Sequence, residues 1–404
     1  MRILISGASI AGPAAAYWFS RCGHTVTVVE RAPSLRKTGG HAVDLFRPAL
    51  MILDRMGVLT EIQDRATGID RGTIFTPGAK RPVEVRIDRL AAAATDQHVE
   101  IMRDDLSEIL VTRTLGDVEY IFGDSIVTIS AESGEVTFEQ AGPRSFDVIV
   151  GADGLHSNVR SLVFGDESGF SSFLGAYLAV YSLPNYLELD RRRVAYLSVG
   201  RLAATYSARH LDDARALFLF HTDLALEYDR HDVARQKELL RAVFSGMGGE
   251  VTRWLEELDR APAFYFDAIT QLTMETWSRE RVTLVGDAGY CPGPVVGGSA
   301  SLAVVGSYVL AGELAEADGD YERAFIACEQ QMGDSVRASR SLARRAARTL
   351  IPTSQAQIWA LAQSLRMVSH LPARPIGAVA RLADRSLSVA GSMAVKDYAG
   401  MHRS

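Results

Sequence analysis

The sequence predicts an α/β protein. A βαβ unit opens the chain, a further strand–loop–helix element lies near residue 286, a mainly antiparallel sheet stands between them, and helices follow at the C-terminal end. Three observations carry this. Residues Arg2 to Glu30 read strand, glycine turn, helix, strand. A second strand ends at Gly286–Asp287, and a glycine-containing loop then opens a long helical pattern, Ala300–Glu313. Between these, Phe173 to Thr222 is rich in Tyr, Phe and Val in short apolar or alternating runs.

Bulk composition narrows the function. The chain has 404 residues, 47% hydrophobic and 23% charged, ordinary for a folded protein of about two to three domains. Its net charge of −6 opposes a nucleic-acid surface, because phosphate binding needs a basic field. No apolar run approaches the roughly 20 residues of a membrane span. Arg2 leads at once into a strand pattern, unlike a secretory leader. Cys22, Cys291 and Cys328 are far apart and form no CxxC pair, which predicts a reducing, cytoplasmic setting with no disulfide framework and no metal site.

The opening element is the most specific. Arg2–Ser6 is an apolar run suited to a buried parallel strand. Ala11–Cys22 is Ala-rich and helical in pattern, Gly23 can close it, and Thr25–Val29 is β-branched. The usual dinucleotide fingerprint G-x-G-x-x-G stands here as Gly7, Ser9 and Gly12. Gly7 permits the tight turn and Gly12 lets helix and strand approach closely. Ser9 adds a hydroxyl able to bond a phosphate oxygen, with Ile10 and Ala11 following at the helix start. Glu30, trailed by Arg31, ends the second strand, where a carboxylate can accept both ribose hydroxyls of an adenosine. An acid there disfavours a 2′-phosphate.

The middle of the chain reads as strands in "RGTIFTP", "PVEVRI" and the Phe173–Thr222 run, followed by helices near Val233–Phe244 and Glu250–Leu258. Residues 320–349 form a long helical pattern in which Arg337, Arg340, Arg344, Arg345 and Arg348 recur at helical spacing and read as a solvated face. The tail from Ala356 is Ala- and Leu-rich and reads as helices packing back.

Three stretches, the opening one, "DVIVGADGLHSNVR" and "ERVTLVGDAGYCPGPVVGGSASLAVVGSYVLAGEL", together resemble the group A flavoprotein monooxygenases, relatives of para-hydroxybenzoate hydroxylase and the tetracycline-inactivating monooxygenases. The resemblance covers residues 1–165 and 264–345 well and the middle loosely. It implies a discontinuous, Rossmann-type FAD-binding domain (1–70, 98–165 and 276–345), a substrate-binding domain (71–97 and 166–275) and a C-terminal helical segment (346–404).

The resemblance also assigns roles. Asp287 is similar to the aspartate that bonds the ribityl chain of FAD. The Pro294–Ser299 loop, with Gly297 and Gly298, would set backbone N–H groups against the flavin N1/O2 edge. Asp153–Gly154 matches a motif linked to FAD and nicotinamide binding, supported by Arg160, with Asp153 mainly ordering its turn. Arg103 and Arg47 match arginines near the flavin. Leu106, Ile109 and Leu110 read as helix core. The chain departs from the pattern at Tyr290, Ser301 and Gly306, where His, Asn and Asp are frequent. Cys291 reads as a buried, inert thiol. Candidate pocket walls are Tyr177, Tyr196, Tyr206, Phe218, Phe220 and Phe266, each of which also reads as core.

The implied activity is insertion of one oxygen atom from O2 into a small aromatic or polyketide-like molecule through a flavin C4a-hydroperoxide. NADPH or NADH would be a transient electron donor, bound without a second Rossmann unit. Such chemistry belongs to the cofactor, and no Ser-His-Asp or metal constellation is evident. Two alternatives stay open: a redox-quiet flavin fold that protects a biosynthetic intermediate, and a flavin-dependent halogenase. The halogenase motif WxWxIP is absent, since Trp18, Trp254, Trp277 and Trp359 are scattered. Oligomeric state is not legible.

Overall fold

The computed structural model describes residues 1–35, 40–88, 97–293, 298–370, 395–398 and 401, without the side chains of 348–350 and 368–370. The chain opens with strand β1 (Arg2–Ser6), helix α1 (Ala11–Arg21) and strand β2 (Thr25–Glu30). Next come β3 (Ala42–Phe46), α2 (Arg47–Arg55), α3 (Leu59–Asp64), β4 (Arg71–Phe75), β5 (Val83–Arg86), β6 (His98–Met102), α4 (Arg103–Thr112) and β7 (Glu119–Phe122). Short strands β8 (Ile126–Ile129), β9 (Glu135–Phe138) and β10 (Arg144–Ser145) form an antiparallel trio before β11 (Val148–Gly151) and α5 (Asn158–Phe164). The long strands β12 (Ser171–Pro184), β13 (Arg192–Ser198), β14 (Arg201–Tyr206) and β15 (Asp213–His221) follow. Helices α6 (Val233–Phe244) and α7 (Val251–Glu257) lead to β16 (Phe264–Leu272), β17 (Ser278–Arg279) and β18 (Val282–Leu284). The chain ends in α8 (Asp287–Tyr290), α9 (Ser299–Glu316), α10 (Tyr321–Leu350) and α11 (Gln355–His370).

One sheet has the order β17-β18-β11-β1-β2-β7. Its β18, β11, β1, β2 and β7 run parallel, and β17 is antiparallel. Its strands come from both ends of the chain, which is why the two glycine turns meet. Ile3, Leu4, Ile5, Val148, Ile149 and Val150 are fully buried, as a parallel sheet covered on both faces requires. Helix α9 is apolar on every side and buried from Ala300 to Leu314, the signature of a helix through a core rather than on a surface. Near the chain end, Tyr398 is fully buried and donates from its hydroxyl to Glu313 of α9 at 2.7 Å.

The second sheet has the order β16-β12-β15-β14-β13-β4-β5. It is antiparallel except for the β13–β4 pair. Strands β4 and β5, early in the chain, therefore join strands that follow residue 170. Side chains alternate between its two faces with a period of two. Tyr177, Ala179 and Tyr181 pack under α6 and α7, against Leu240, Phe244, Val251 and Trp254. Ala176, Leu178 and Val180 point the other way, with Leu219, Ile269 and Ile351.

This alternation corrects the pocket assignment. Tyr177, Phe218, Phe220 and Phe266 all belong to the helix-covered face and form a core. Tyr177 stacks on Phe220 at 5.3 Å and on Phe266 at 5.5 Å. Tyr196 is on the same side, stacked on Phe75 at 4.7 Å and edge-on to Trp254. Of the six, Tyr206 alone packs with Met102 and Ala208 on the opposite face. Large aromatics are drawn to the layer with the most apolar partners, here the one beneath α6 and α7. The arginine row of α10 needs a second correction. Arg337, Arg344 and Arg345 are exposed, Arg340 is buried, and the Arg348 side chain lies outside the described residues.

Candidate flavin and substrate site

The first glycine turn has the geometry a dinucleotide needs. Gly7 has φ +106°, and a Cβ there would strike the carbonyl oxygen of Ala152 at 2.6 Å. A Cβ on Gly12 would lie 1.9 Å from the Gly7 oxygen, so helix and turn meet backbone to backbone. Ile10, the N-cap of α1, supplies no side-chain cap, leaving first-turn N–H groups available to an anion. Glu30 is tied to this turn: its carboxylate accepts from the backbone N–H of Ala8 at 2.9 Å and of Ala32 at 2.8 Å. Arg103, at the start of α4, reaches the Ser9 hydroxyl from Nε at 3.3 Å and donates its backbone N–H to the His41 carbonyl at 3.0 Å.

The turn after β11 is held by Asp153. Its carboxylate accepts from Ser157 Oγ at 2.5 Å and from the backbone N–H groups of Asn158 and Val159. Burial raises its pKa against these hydrogen bonds. Every one of these partners is local or structural, apart from Ser6 Oγ in β1 at 3.3 Å. Arg160 is fully buried and bonds Glu167, Leu155 O and Ala288 O. His156, in the same turn, bridges Glu167 at 2.9 Å and Asp267 of β16 at 2.8 Å, linking the two sheets.

Asp287 and Ser299 form the third corner. Ser299 Oγ donates to Asp287 Oδ1 at 2.7 Å. Gly298 is the N-cap of α9, without a side-chain cap and with open space where a Cβ would be. By contrast α5, α6 and α10 are capped by Ser157, Asp232 and Asp320. Pro294 and Gly297 lie outside the described residues. Ala11 joins this corner to the first turn, since its carbonyl accepts from Ser307 of α9 at 2.8 Å. Cys291 is buried, and burial pushes its thiol pKa up, so it is an inert thiol. Arg31 and Arg47 are exposed and make no hydrogen bond or ion pair among the described residues. Arg47 borders a surface cleft of about 420 Å³ with Leu50, Met51 and Gln97.

A polar seam separates the β3–β6 ribbon from the large sheet, and sequence reading missed most of it. Tyr206 accepts from the Ala42 N–H at 3.0 Å and lies under Arg193, which bonds Glu100 at 2.9 Å. Arg215 reaches Gly40 O, and the Gly40 N–H donates to Asp104 at 2.7 Å. Asp44 bonds His98 at 2.5 Å, which raises the imidazole pKa against the lowering effect of burial. His41 and Tyr265 face one another across the seam, ring centroids 6.2 Å apart and both half-buried. Burial, reinforced by Arg103, lowers the His41 pKa to about 4, so its ring is neutral. Its nitrogens bond no described residue. Tyr265 is held protonated by burial and feels both Arg103 and Asp287. A period-two reading of "FYFDAI" could have found it, because the core phenylalanines send Tyr265 and Asp267 to the other face.

These features fit FAD: an adenosine-type carboxylate, a bare backbone approach, two uncapped helix starts and a Ser-Asp pair beside one of them. The FAD binding domain family matches residues 1–320. The chain belongs to that family and is a flavoprotein monooxygenase with FAD as its cofactor. It is 38% identical over 327 residues to a flavin-dependent monooxygenase of Legionella longbeachae serogroup 1 (strain NSW150), covering 80% of this chain and 83% of the relative. It is 44% identical over 327 residues to an uncharacterized protein of Mycobacterium tuberculosis (strain ATCC 25618 / H37Rv), covering 80% and 87%. Among solved structures it is similar to tetracycline destructase Tet(51), with TM-score 0.83, 31% identity and coverage of 98% and 99%.

Proposed function

We propose that this monooxygenase consumes NADPH or NADH and inserts one oxygen atom from O2 into a small aromatic or polyketide-like molecule. The proposed FAD-binding domain comprises residues 1–70, 98–165 and 276–345, and the substrate-binding domain 71–97 and 166–275. Residues 346–404 form the C-terminal segment. The observation that carries this reading is the seam, where neutral His41 and the Tyr265 phenol face one another on the inner side of the large sheet. The likeness to a tetracycline destructase supports a polycyclic, oxygen-rich substrate class.

Gly7, Ser9, Ile10, Ala11, Gly12, Glu30 and Arg103 would hold the adenosine and pyrophosphate end of FAD. Asp287, Gly298 and Ser299 would hold its ribityl and flavin end. Bound FAD supplies hydride acceptance and oxygen activation. The protein's own groups do the rest. The uncapped start of α9 offers fixed N–H donors to negative charge. Neutral His41 and protonated Tyr265 present hydrogen bonds to a substrate without adding charge. The apolar inner face, with Leu178, Leu219 and Ile269, excludes water.

The test is anaerobic flavin reduction by NADPH and NADH with candidate aromatics, followed by ¹⁸O₂. The expected result is bleaching and then a product with one labelled oxygen atom. Reduction no faster than that of free FAD, despite a tightly bound ligand, would establish the protective-binding alternative instead.

A further inference from the structure

Three arginines are buried among the described residues: Arg160, Arg215 and Arg340, at 0%, 3% and 9% exposure. Arg160 has Glu167 and two carbonyls as acceptors. Arg215 bonds Asp213 at 2.5 Å and Gly40 O at 3.2 Å. Arg340 has no such acceptor. Its Nε and Nη2 are enclosed without a partner, and its guanidinium makes no hydrogen bond or ion pair to any described residue. The groups that bear on it are the buried Cys291 thiol and the like-charged Arg344. Arginine does not give up its proton in proteins, so an uncompensated cation stands inside the molecule. Such a charge opposes folding until an anion meets it.

Its position indicates which anion. Gln271 Nε2, at the end of β16, donates to the carbonyls of both Arg340 and Pro292, each at 2.9 Å. One turn further along α10, Ala343 lies beside Gly293 together with Leu174 and Ile269. The backbone of α10 at Arg340 therefore stands where the inner face of the large sheet meets the turn that follows Asp287–Tyr290.

We propose that Arg340 anchors an anionic oxygen of the substrate (a carboxylate, phenolate or enolate) at the junction of the inner sheet face with the Pro292–Gly293 turn. This rests on the seam being the substrate site. Its test reads binding and stability rather than turnover, so it can fail while the monooxygenase reading stands, and the reverse also holds.

The probes are salicylate and its neutral analogue salicylamide, titrated into FAD-loaded wild type, Arg340→Met and Arg340→Lys by flavin absorbance. A charge-assisted hydrogen bond predicts that Arg340→Met weakens salicylate about 10- to 150-fold and leaves salicylamide unchanged, with Arg340→Lys intermediate. Without ligand, FAD-loaded Arg340→Met should melt higher than wild type by about 2–4 °C, because a buried uncompensated charge is gone. Salicylate binding that is absent, or equal in Arg340→Met, overturns the proposal. So does an Arg340→Met protein that melts lower than wild type, which would reveal a structural partner. A loss of FAD affinity with salicylate binding intact would assign the guanidinium to the flavin and also overturn it.

Discussion

Tyr290 and Gly306, two departures from the pattern that the resemblance implies, compensate each other. A Cβ at position 306 would lie 1.9 Å from Tyr290 Oη, so the larger ring is admitted by the missing side chain. The hydroxyl is buried without a partner among the described residues, while its ring packs on Trp277 at 4.6 Å. Tyr290→Phe should therefore stabilise the protein by about 1 kcal/mol, since an unpaired buried hydroxyl is removed. Gly306→Ala should destabilise by about 1–3 kcal/mol through overpacking, and by less in the Tyr290→Phe background. Urea unfolding of the double-mutant cycle measures the coupling, and additive effects would refute the compensation. At the adenosine end, Glu30→Ala should weaken FAD about 10- to 150-fold, by loss of a charged acceptor. Fluorescence titration of apoprotein with FAD checks it.

At the scale of elements, the turn between β11 and α5 is clamped to β16 through His156. Asp267, then Glu167, raises the imidazole pKa to about 9, against the lowering effect of burial. The unfolded value is about 6.5, so the clamp's stabilisation is fully present below that pH and is lost as pH rises through about 9. Stability measured by urea should fall between pH 6.5 and 9, with a smaller fall in His156→Gln. Equal pH profiles for the two proteins would show that the bridge carries no stability. Elements with strong local signals were legible before the structure. The α6 pattern Val233–Phe244 and the first strand–turn–helix each combine periodicity with a cap or a required glycine. His156 was not legible, because its partners Glu167 and Asp267 come from other elements.

At the scale of the molecule, the two faces of the large sheet divide the work. Phe218 is fully buried beneath α6 and α7, so Phe218→Ala should cost about 3–5 kcal/mol. Tyr265 faces the seam and makes only a long 3.4 Å contact with Asp267 through its hydroxyl. Tyr265→Phe should leave the unfolding midpoint nearly unchanged while altering the flavin spectral response to aromatic ligands. Losses of stability in the reverse order would show that the face assignment is wrong.

The sequence by itself determined the parallel βαβ opening and the carboxylate, Glu30, that ends its second strand. Each depends on residues close together in the chain: Gly7 and Gly12 about one backbone contact apart, and Glu30 at the end of the next strand. Only the tertiary structure decided which side of the large sheet faces the flavin unit. Period two makes both faces of β12 and β15 apolar enough to bury, and only the placement of α6 and α7 over one of them breaks that symmetry. The same holds for Arg340. Its helical spacing matches that of its exposed neighbours, and its burial arises because that turn of α10 packs against the distant β16 and Pro292–Gly293 turn.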